Sequence, residues 1–458
     1  MENKCKEYLK VLENDPVNQY YEAALNVMNP KGSLDNMFNH EKSVVWQVTA
    51  LAVAPVLISY VTWILNDCIK RNITRLYFLA RDGFVLREIA ERICNKNGWD
   101  IKCNYLYCSR LALLLPFFYT NKAEAIEKLF SKGYRVSADI VFSRVGLSLT
   151  EKKELVAALE LQNTHAFLTE NGLHDLRKLL TSTPAFMQII ERNSKRAFDE
   201  LTQYFNQEGL FDKENWALVD LGWTGSTQKI LSQIMEKHLS RSAHLQGYYF
   251  GMVYTGDQKC GLFRTFYFSN YSLSKRADFN TDLFECLCTA DHGMTVGYRN
   301  VNGTIEPILN KYTNSWLILL QNECIIAYAE QLLNSNLYDH RMILKRNTIH
   351  ALLKNLMITP TAEEATIYGS ILFSDDPTNM LKQPLSIHIS LHDLYSYSFI
   401  HKIPRLLFGR KIKNNEETSW IYGTLSLYYP QKRLSRCMIR LTDYVRIFVI
   451  WLKGCCNR

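Results

Sequence analysis

The chain has 458 residues, of which 47% are hydrophobic and 21% charged. This composition predicts a globular protein with a sizeable core and room for two or three domains. The net charge of +8 is concentrated at the C-terminal end, because segment 402–458 has twelve Lys and Arg against three acids. Its basic residues alternate with apolar ones rather than with stacking aromatics, which places nucleic-acid binding last among the functions considered.

The twelve cysteines are scattered, without a CxxC pair or a Cys/His cluster at zinc spacing. Such usage favours reduced, buried thiols over a disulfide framework or a structural metal site. The first ten residues, MENKCKEYLK, lack the apolar core and cleavage site of a secretory signal. We therefore expect a cytoplasmic protein.

The first long apolar segment, residues 44–65 (VVWQVTALAVAPVLISYVTWIL), has 22 residues without a charge and is long enough to cross a bilayer. Four polar residues and Pro55 interrupt it, and a predicted strand begins about ten residues later. A buried helix that Pro55 kinks or divides is the favoured interpretation, and a membrane-inserted helix stays open. Residues 1–43 precede it as a predicted N-terminal helical extension.

Strands and helices then alternate. Residues 75–80 predict a strand, residues 84–95 a helix and residues 105–108 a second strand, a unit typical of α/β proteins. Leucines at three- and four-residue spacing predict a helical insertion over residues 121–215, whose role the sequence leaves open.

The α/β pattern resumes with a strand at residues 216–221, a helix at 227–239 and a strand at 244–254. Residues 311–400 are predicted to be helical. The remainder, 401–458, is the basic tail.

Two segments, residues 76–83 (LYFLARDG) and 219–227 (VDLGWTGST), run from a strand through an acid and a glycine-bearing turn into a helix. Such turns lie at the carboxyl ends of strands, where backbone N–H groups and a helix N-terminus bind phosphate. The second turn is not a P-loop, because Ser226 stands where the lysine belongs, and neither turn contains GxGxxG. Ordinary strand-to-helix turns remain the alternative.

The first turn also bears on hydrolase chemistry. Phosphatases of the haloacid dehalogenase type carry DxDG[TV] after a strand, and the first Asp is their nucleophile. Aligning Asp82 and Gly83 with the second Asp and the Gly puts Ala80 at the nucleophile, and alanine cannot attack phosphorus. A phosphohydrolase of atypical motif stays open only if Asp82 or Asp220 accepts the phosphoryl group.

In their order along the chain, FLARDGFVL, YLYCSR and VDLGWTGSTQ resemble the glycan phosphoribosyltransferases of bacterial capsule and O-antigen synthesis, many of which are labelled predicted haloacid dehalogenase hydrolases. The resemblance implies a phosphoribosyltransferase-like (Rossmann-like) parallel sheet core of residues 44–120 and 216–310, with large helical insertions and a helical C-terminal region. It implies transfer of 5-phosphoribosyl from phosphoribosyl pyrophosphate to a glycan hydroxyl. A separate phosphatase would then remove the 5-phosphate and leave ribofuranose.

The resemblance also implies roles for particular residues. Asp220 matches the acid that binds the ribose hydroxyls, and Arg81 and Asp82 match the pyrophosphate-binding turn. The implied donor-phosphate ligands are Thr224, Gly225, Ser226, Thr227, Gly83 and Arg110. Ordinary phosphoribosyltransferases have two adjacent acids before the threonine, whereas Val219 stands at the first of these positions.

The implied cofactor is Mg²⁺, with Asp82 and Asp220 as its candidate ligands. The acceptor hydroxyl would also need a general base to remove its proton. Segment 282–293 (DLFECLCTADHG) offers Glu285, Asp291 and His292, with Asp82 as a competitor. Structural roles for Glu285 and His292 stay open.

The basic tail predicts an amphipathic helix over residues 432–453. Its apolar positions at helical spacing are Leu434, Met438, Leu441, Val445, Phe448 and Leu452, with Arg433, Arg436 and Arg440 on another face. Together with segment 402–413 (KIPRLLFGRKIK), this favours peripheral attachment to the inner face of the cytoplasmic membrane and a polyprenyl-linked acceptor. The alternatives are a terminal helix docked on the protein and a non-catalytic scaffold for polysaccharide assembly.

Overall fold

The computed structural model describes residues 1–28, 38–131, 136–254, 257–311, 315–374, 382–397 and 417–456. In chain order the helices are α1 Glu2–Glu13, α2 Gln19–Met28, α3 His40–Val48, α4 Ala54–Arg71, α5 Gly83–Asn97, α6 Arg110–Thr120, α7 Lys122–Leu129, α8 Ala138–Arg144, α9 Leu149–Ala158, α10 Glu170–Ser182, α11 Pro184–Gln207, α12 Ser226–Leu239, α13 Leu273–Ala277, α14 Thr281–Cys288, α15 Trp316–Leu333, α16 Arg346–Met357, α17 Ala362–Gly369, α18 Leu391–Ser396, α19 Ile421–Tyr428 and α20 Arg433–Cys456. The strands are β1 Arg75–Leu79, β2 Lys102–Leu106, β3 Trp216–Trp223, β4 Leu245–Met252, β5 Gly261–Phe268, β6 Thr295–Val301, β7 Thr304–Leu309, β8 Leu372–Phe373 and β9 Gln383–Pro384.

The centre of the fold is a five-stranded parallel sheet in the order β2-β1-β3-β4-β5. The predicted mixed α/β class with a parallel sheet is therefore confirmed. All five residues of β1 are buried, which is typical of a parallel strand covered by helices on both faces. The order of strands reverses between β1 and β3, so their carboxyl ends flank the crevice where open α/β sheets bind ligands.

Several strands lie where the sequence pattern did not predict them. Strand β5 completes the sheet, and the short connection from β4 contains only a 3₁₀ turn, Gln258–Cys260, among its described residues. Strands β6 and β7 form an antiparallel pair, and the two-residue strands β8 and β9 form another within the predicted helical region 311–400. Short apolar strands are difficult to distinguish from helix segments by periodicity alone.

The long apolar segment forms one continuous helical stretch from His40 to Arg71. A π-helical segment, Thr49–Val53, joins α3 to α4, and Pro55 lies in the first turn of α4. This stretch is, within the described residues, the one helix long and apolar enough to cross a membrane, and 94% of its most apolar window is buried inside the protein. The Tyr60 hydroxyl donates a hydrogen bond to the Asp220 carbonyl oxygen at 2.8 Å, which ties α4 to β3.

Apolar side chains form a core on each face of the sheet. Leu76 and Phe78 belong to one core and Tyr77 and Leu79 to the other, because successive strand residues point to opposite faces. The first core contains the N-terminal helices and most of the described C-terminal half, so Tyr8 of α1 is fully buried. The second core contains the helical insertion. Residues 1–28 thus pack as an integral layer of the fold.

Candidate functional site

Two turns at the carboxyl ends of β1 and β3 form the floor of the candidate site. Ala80, Arg81 and Asp82 connect β1 to α5, and Thr224 and Gly225 connect β3 to α12. The Ala80–Arg81 and Gly222–Trp223 peptide bonds are cis. Because the two strands are parallel neighbours, both helices begin at the same edge of the sheet. Their N-termini place partial positive charge there, which favours a bound anion.

Glycine is required in each turn by close packing. A Cβ atom on Gly83 would lie 2.7 Å from the backbone carbon of Phe78. A Cβ atom on Gly225 would lie 2.7 Å from Cε1 of Phe263, and its φ of +71° lies in the left-handed region. Both glycines therefore have structural roles, and neither lines the cavity above the turns.

A cavity of about 830 Å³ opens above the two turns. Eight of the residues predicted for the site line it: Arg81, Asp82, Arg110, Asp220, Thr224, Ser226, Thr227 and Glu285. They come from four separate segments of the chain. The fold therefore brings the two predicted phosphate turns, Arg110 and Glu285 to one concave surface.

Four acids line this cavity, Glu41, Asp82, Asp220 and Glu285, and the last three are half-buried. Burial raises the pKa of Asp220 to about 7, while the hydrogen bond that its Oδ1 accepts from the Leu221 N–H at 2.8 Å opposes the rise and the Glu285 charge adds to it. Burial also raises the pKa of Asp82, and the charge of Asp220 contributes. Glu285 follows the same pattern, since burial and the Asp82 charge raise its pKa. The three acids thus hold protons at higher pH than ordinary carboxyl groups do.

Glu285 is held in place by an indole. The Trp223 Nε1–H donates a hydrogen bond to Oε1 of Glu285 at 2.8 Å, which joins the end of β3 to α14. Val219, where ordinary phosphoribosyltransferases have their first acid, is fully buried in the core. The carboxylate partner of Asp220 in this cavity therefore comes from α14 and not from the neighbouring position of β3.

Two arginines line the cavity near its acids. Within the described residues, the guanidinium groups of Arg81 and Arg110 form no hydrogen bond or ion pair, although both lower the pKa of Asp82 through their charge. Ser109 caps α6, accepting a hydrogen bond from the Ala112 N–H and donating one to the Thr295 carbonyl oxygen, and so fixes the start of the helix that carries Arg110. Unpaired arginines beside a cavity are typical of anion sites.

The second turn presents hydroxyl groups and backbone N–H groups. Thr224 Oγ1 donates to Ser226 Oγ at 3.1 Å. Helix α12 begins after Gly225, which provides no side-chain cap, and the Ser226 N–H donates only a long hydrogen bond of 3.4 Å to Thr224 Oγ1, so the first turn of the helix retains N–H groups for a ligand. Lys229 is unavailable to a ligand here, because its ammonium pairs with both carboxylate oxygens of Glu124 at 3.0 Å. The turn is thus suited to a phosphate that is bound by dipoles and hydroxyls.

His292 does not line the cavity. Its Nε2 is hydrogen-bonded to the Tyr105 hydroxyl at 2.7 Å and its Nδ1 to the Gly293 carbonyl oxygen at 2.8 Å. Burial lowers its pKa. The ring packs among Phe84, Tyr105 and Tyr107. Because both ring nitrogens are engaged, this arrangement favours the structural role that the sequence left open.

Sequence reasoning missed several cavity residues that lie far apart in the chain: Glu41, Ser109, Thr289, Trp316 and Lys382. Ser109 and Thr289 stand in segments that were singled out for other residues, and only the fold brings all five to the site. Trp316 is 42% exposed at the start of α15, an arrangement that offers an aromatic surface to a ligand. Thr289 contributes a buried hydroxyl without a hydrogen-bond partner in the described part of the chain.

The residues present fit Mg²⁺ bound together with a phosphate ligand. The described residues contain no group of three or more His, Cys, Asp or Glu arranged to hold a metal ion. Mg²⁺ needs fewer protein ligands, because one or two carboxylates plus substrate phosphates and waters commonly complete its shell. Asp82 and Asp220 offer two such carboxylates, and their mutual repulsion, which raises the pKa of Asp82, is what a bound cation relieves.

Comparison with protein-family models finds no match to this chain, and a search of curated proteins finds no matching sequence. Function is therefore argued from the geometry and charge of the cavity.

Proposed function

We propose that the protein transfers a 5-phosphoribosyl group from phosphoribosyl pyrophosphate to a hydroxyl group of a glycan, releasing pyrophosphate. The observation that carries the proposal is the polarity of one cavity, in which Arg81 and Arg110 are unpaired while Asp82, Asp220 and Glu285 lie beside them. The donor carries a diphosphate, a sugar and a second phosphate. The cations match the diphosphate, a carboxylate matches the sugar, and the hydroxyl-rich turn at α12 matches the second phosphate.

The proposed chemistry is displacement at the anomeric carbon. The bond from this carbon to the pyrophosphate oxygen breaks as a bond to the acceptor oxygen forms, and the hydroxyl proton passes to a carboxylate. Positive charge develops on the sugar and negative charge on the leaving group. Asp220 would stabilise the first, and Arg81 and Arg110 the second. Mg²⁺, when bound through Asp82 and Asp220, would supply further positive charge to the pyrophosphate.

Glu285 is the proposed general base. Its pKa is raised by burial and by the Asp82 charge, so its proton affinity approaches the range in which a base works well near neutral pH. The Trp223 hydrogen bond orients the carboxylate. Trp316 and the neighbouring wall of the cavity are left for the acceptor sugar. His292 is less suited, since both its nitrogens are hydrogen-bonded away from the cavity.

The direct test uses the purified protein with phosphoribosyl pyrophosphate, Mg²⁺ and a panel of polyprenyl-linked glycans. We expect release of pyrophosphate and a mass increase of one phosphopentose on an accepted glycan. The Asp220→Asn variant should lose both signals together. Pyrophosphate release without any glycan product across the panel would instead indicate donor hydrolysis and contradict the proposed transfer.

Two alternatives make different predictions. An atypical phosphohydrolase would release inorganic phosphate from a generic phosphate ester and lose this activity in Asp82→Asn or Asp220→Asn. Ala80 stands at the position where such enzymes have their nucleophile, and alanine cannot attack phosphorus, which argues against the hydrolase alternative. A non-catalytic scaffold would retain its cellular function when Arg81→Ala and Asp220→Ala are combined.

Helix α20 supports placement at the inner face of the cytoplasmic membrane. Leu434, Leu441 and Phe448 are 75%, 58% and 45% exposed, whereas Arg440 turns inward and forms two hydrogen bonds with Asp278 at 3.0–3.1 Å. The described part of the helix thus presents apolar side chains outward, and the basic segment 402–413 lies outside the described residues. An outward apolar stripe on a terminal helix fits a lipid surface.

Vesicle flotation tests this placement. Wild-type protein should float with anionic phospholipid vesicles, and a variant with Leu434→Ser, Leu441→Ser and Phe448→Ser should remain in the soluble fraction. The matched control changes two exposed leucines elsewhere, Leu149→Ser and Leu337→Ser, which are 79% and 61% exposed. Equal flotation of all three proteins would contradict membrane attachment through α20.

A further inference from the structure

The cavity contains one cation that no motif indicates. Lys382 immediately precedes β9, whose pairing with β8 places it beside the cavity wall. The backbone is anchored at the end of this pair away from Lys382, since the Leu385 N–H donates to the Ile371 carbonyl oxygen at 3.0 Å and the Ser386 N–H to the Gly369 carbonyl oxygen at 2.9 Å. Lys382 therefore adjoins a hydrogen-bonded strand pair.

Lys382 and Arg81 face the same space with like charges. Burial lowers the pKa of Lys382, and the positive charge of Arg81 lowers it further. Within the described residues, the Lys382 ammonium forms no ion pair or hydrogen bond. Two unpaired cations that repel each other across a cavity are stabilised by an anion bound between them.

From this juxtaposition we infer that Lys382 and Arg81 together bind a diphosphate group, with one cation on each side of it. The inference rests on the proposed function for the identity of the donor, but the anion site itself does not depend on transfer. A diphosphate has two phosphoryl groups and can meet both cations, while a single phosphate offers less negative charge to share. Lys382 comes from the C-terminal half of the chain and Arg81 from the turn after β1, so the ligand would link the two.

Calorimetric titration with inorganic pyrophosphate in the presence of Mg²⁺ tests the site. We expect Lys382→Gln to weaken pyrophosphate binding about tenfold, the effect of losing one charge-assisted hydrogen bond. Lys382→Arg should retain most of the affinity. Ribose 5-phosphate, whose phosphate is assigned to the α12 turn, should bind Lys382→Gln as it binds wild type. Lys153→Gln, an exposed lysine on α9, is the matched control for loss of charge.

The outcomes separate this inference from the proposed transfer. Unchanged pyrophosphate affinity in Lys382→Gln, or no binding to wild type, overturns the diphosphate site. Pyrophosphate binding that depends on Lys382, in a protein that transfers no phosphoribosyl group to any glycan, supports the site and counts against the transfer. If Lys382→Gln transfers the phosphoribosyl group with an unchanged KM for phosphoribosyl pyrophosphate, the role of Lys382 is contradicted and the proposed transfer is not.

Discussion

The two turns at the ends of β1 and β3 occupy equivalent positions and carry different chemistry. Both follow neighbouring parallel strands, both require a glycine for close packing, and both precede a helix N-terminus. The β1 turn carries a cation and an acid, Arg81 and Asp82, whereas the β3 turn carries hydroxyls. Equivalent backbone positions thus provide a charged site and a neutral one, which suits a ligand with a diphosphate at one end and a single phosphate at the other.

The largest expected effect comes from removing the charge of the β1 turn. Arg81→Gln should lower kcat/KM for phosphoribosyl pyrophosphate by about a hundredfold to a thousandfold, because the lost guanidinium stabilises charge that develops on the leaving group. Steady-state measurement of pyrophosphate release checks this. Arg241→Gln, at an exposed position after α12, should have wild-type kinetics. A similar loss in both variants would indicate a general charge effect rather than a role for the turn.

The next largest effect is expected from changing Gly225, the glycine of the β3 turn. Gly225→Ala should destabilise the protein by about 2 kcal/mol, since it combines a left-handed φ with a steric contact. Gly98→Ala is the matched control, because Gly98 has a φ of +65° but no atom within 4 Å of the added Cβ. Denaturant unfolding of both variants separates the two costs. Equal destabilisation would show that contact with Phe263 contributes nothing.

The raised pKa of Asp220 predicts that the stability of the protein depends on pH. Its folded pKa of about 7 exceeds the ordinary value of about 4, so between these pH values the folded protein holds a proton that the unfolded chain has lost. Stability from this group therefore falls as the pH rises toward 7. Asp220→Asn should raise Tm at pH 8 by roughly 3 °C and leave Tm at pH 4 nearly unchanged, as measured by differential scanning calorimetry.

Asp175→Asn, at an exposed position on α10, is the control and should not change Tm at either pH. A lower Tm for Asp220→Asn at pH 8 would mean that the ionised carboxylate stabilises the fold, contrary to the effect of burial.

The smallest expected effect concerns the hydroxyls. Thr227→Val removes one hydroxyl at constant volume and should weaken ribose 5-phosphate binding by about fivefold to tenfold. Pyrophosphate binding should be unchanged, because that ligand is assigned to the β1 turn. Calorimetry with the two ligands on the same variant measures the difference. Equal weakening for both would contradict the division between the turns.

Sequence patterns predicted the local elements of the site well. Both turns, the strands before them and the helices after them lie within a few residues of the predicted positions, because apolar runs and glycine-bearing turns encode local structure. Strand β5 and the β6–β7 pair were missed, since short apolar segments carry no distinctive period. Arg110 lines the cavity, whereas His292, which was a candidate because of its proximity in sequence to Glu285, lies outside the cavity lining.

The sequence by itself determined the α/β class, the position of the acids at strand ends and the glycines that the turns need, because each depends on neighbouring residues. Only the tertiary structure decided that Glu285 joins Asp82 and Asp220, that Lys382 faces Arg81, and that Arg440 of α20 turns inward to Asp278. These arrangements depend on how segments that are distant in the chain pack around the sheet. Chain topology, and no local pattern, brings residues hundreds of positions apart to one cavity.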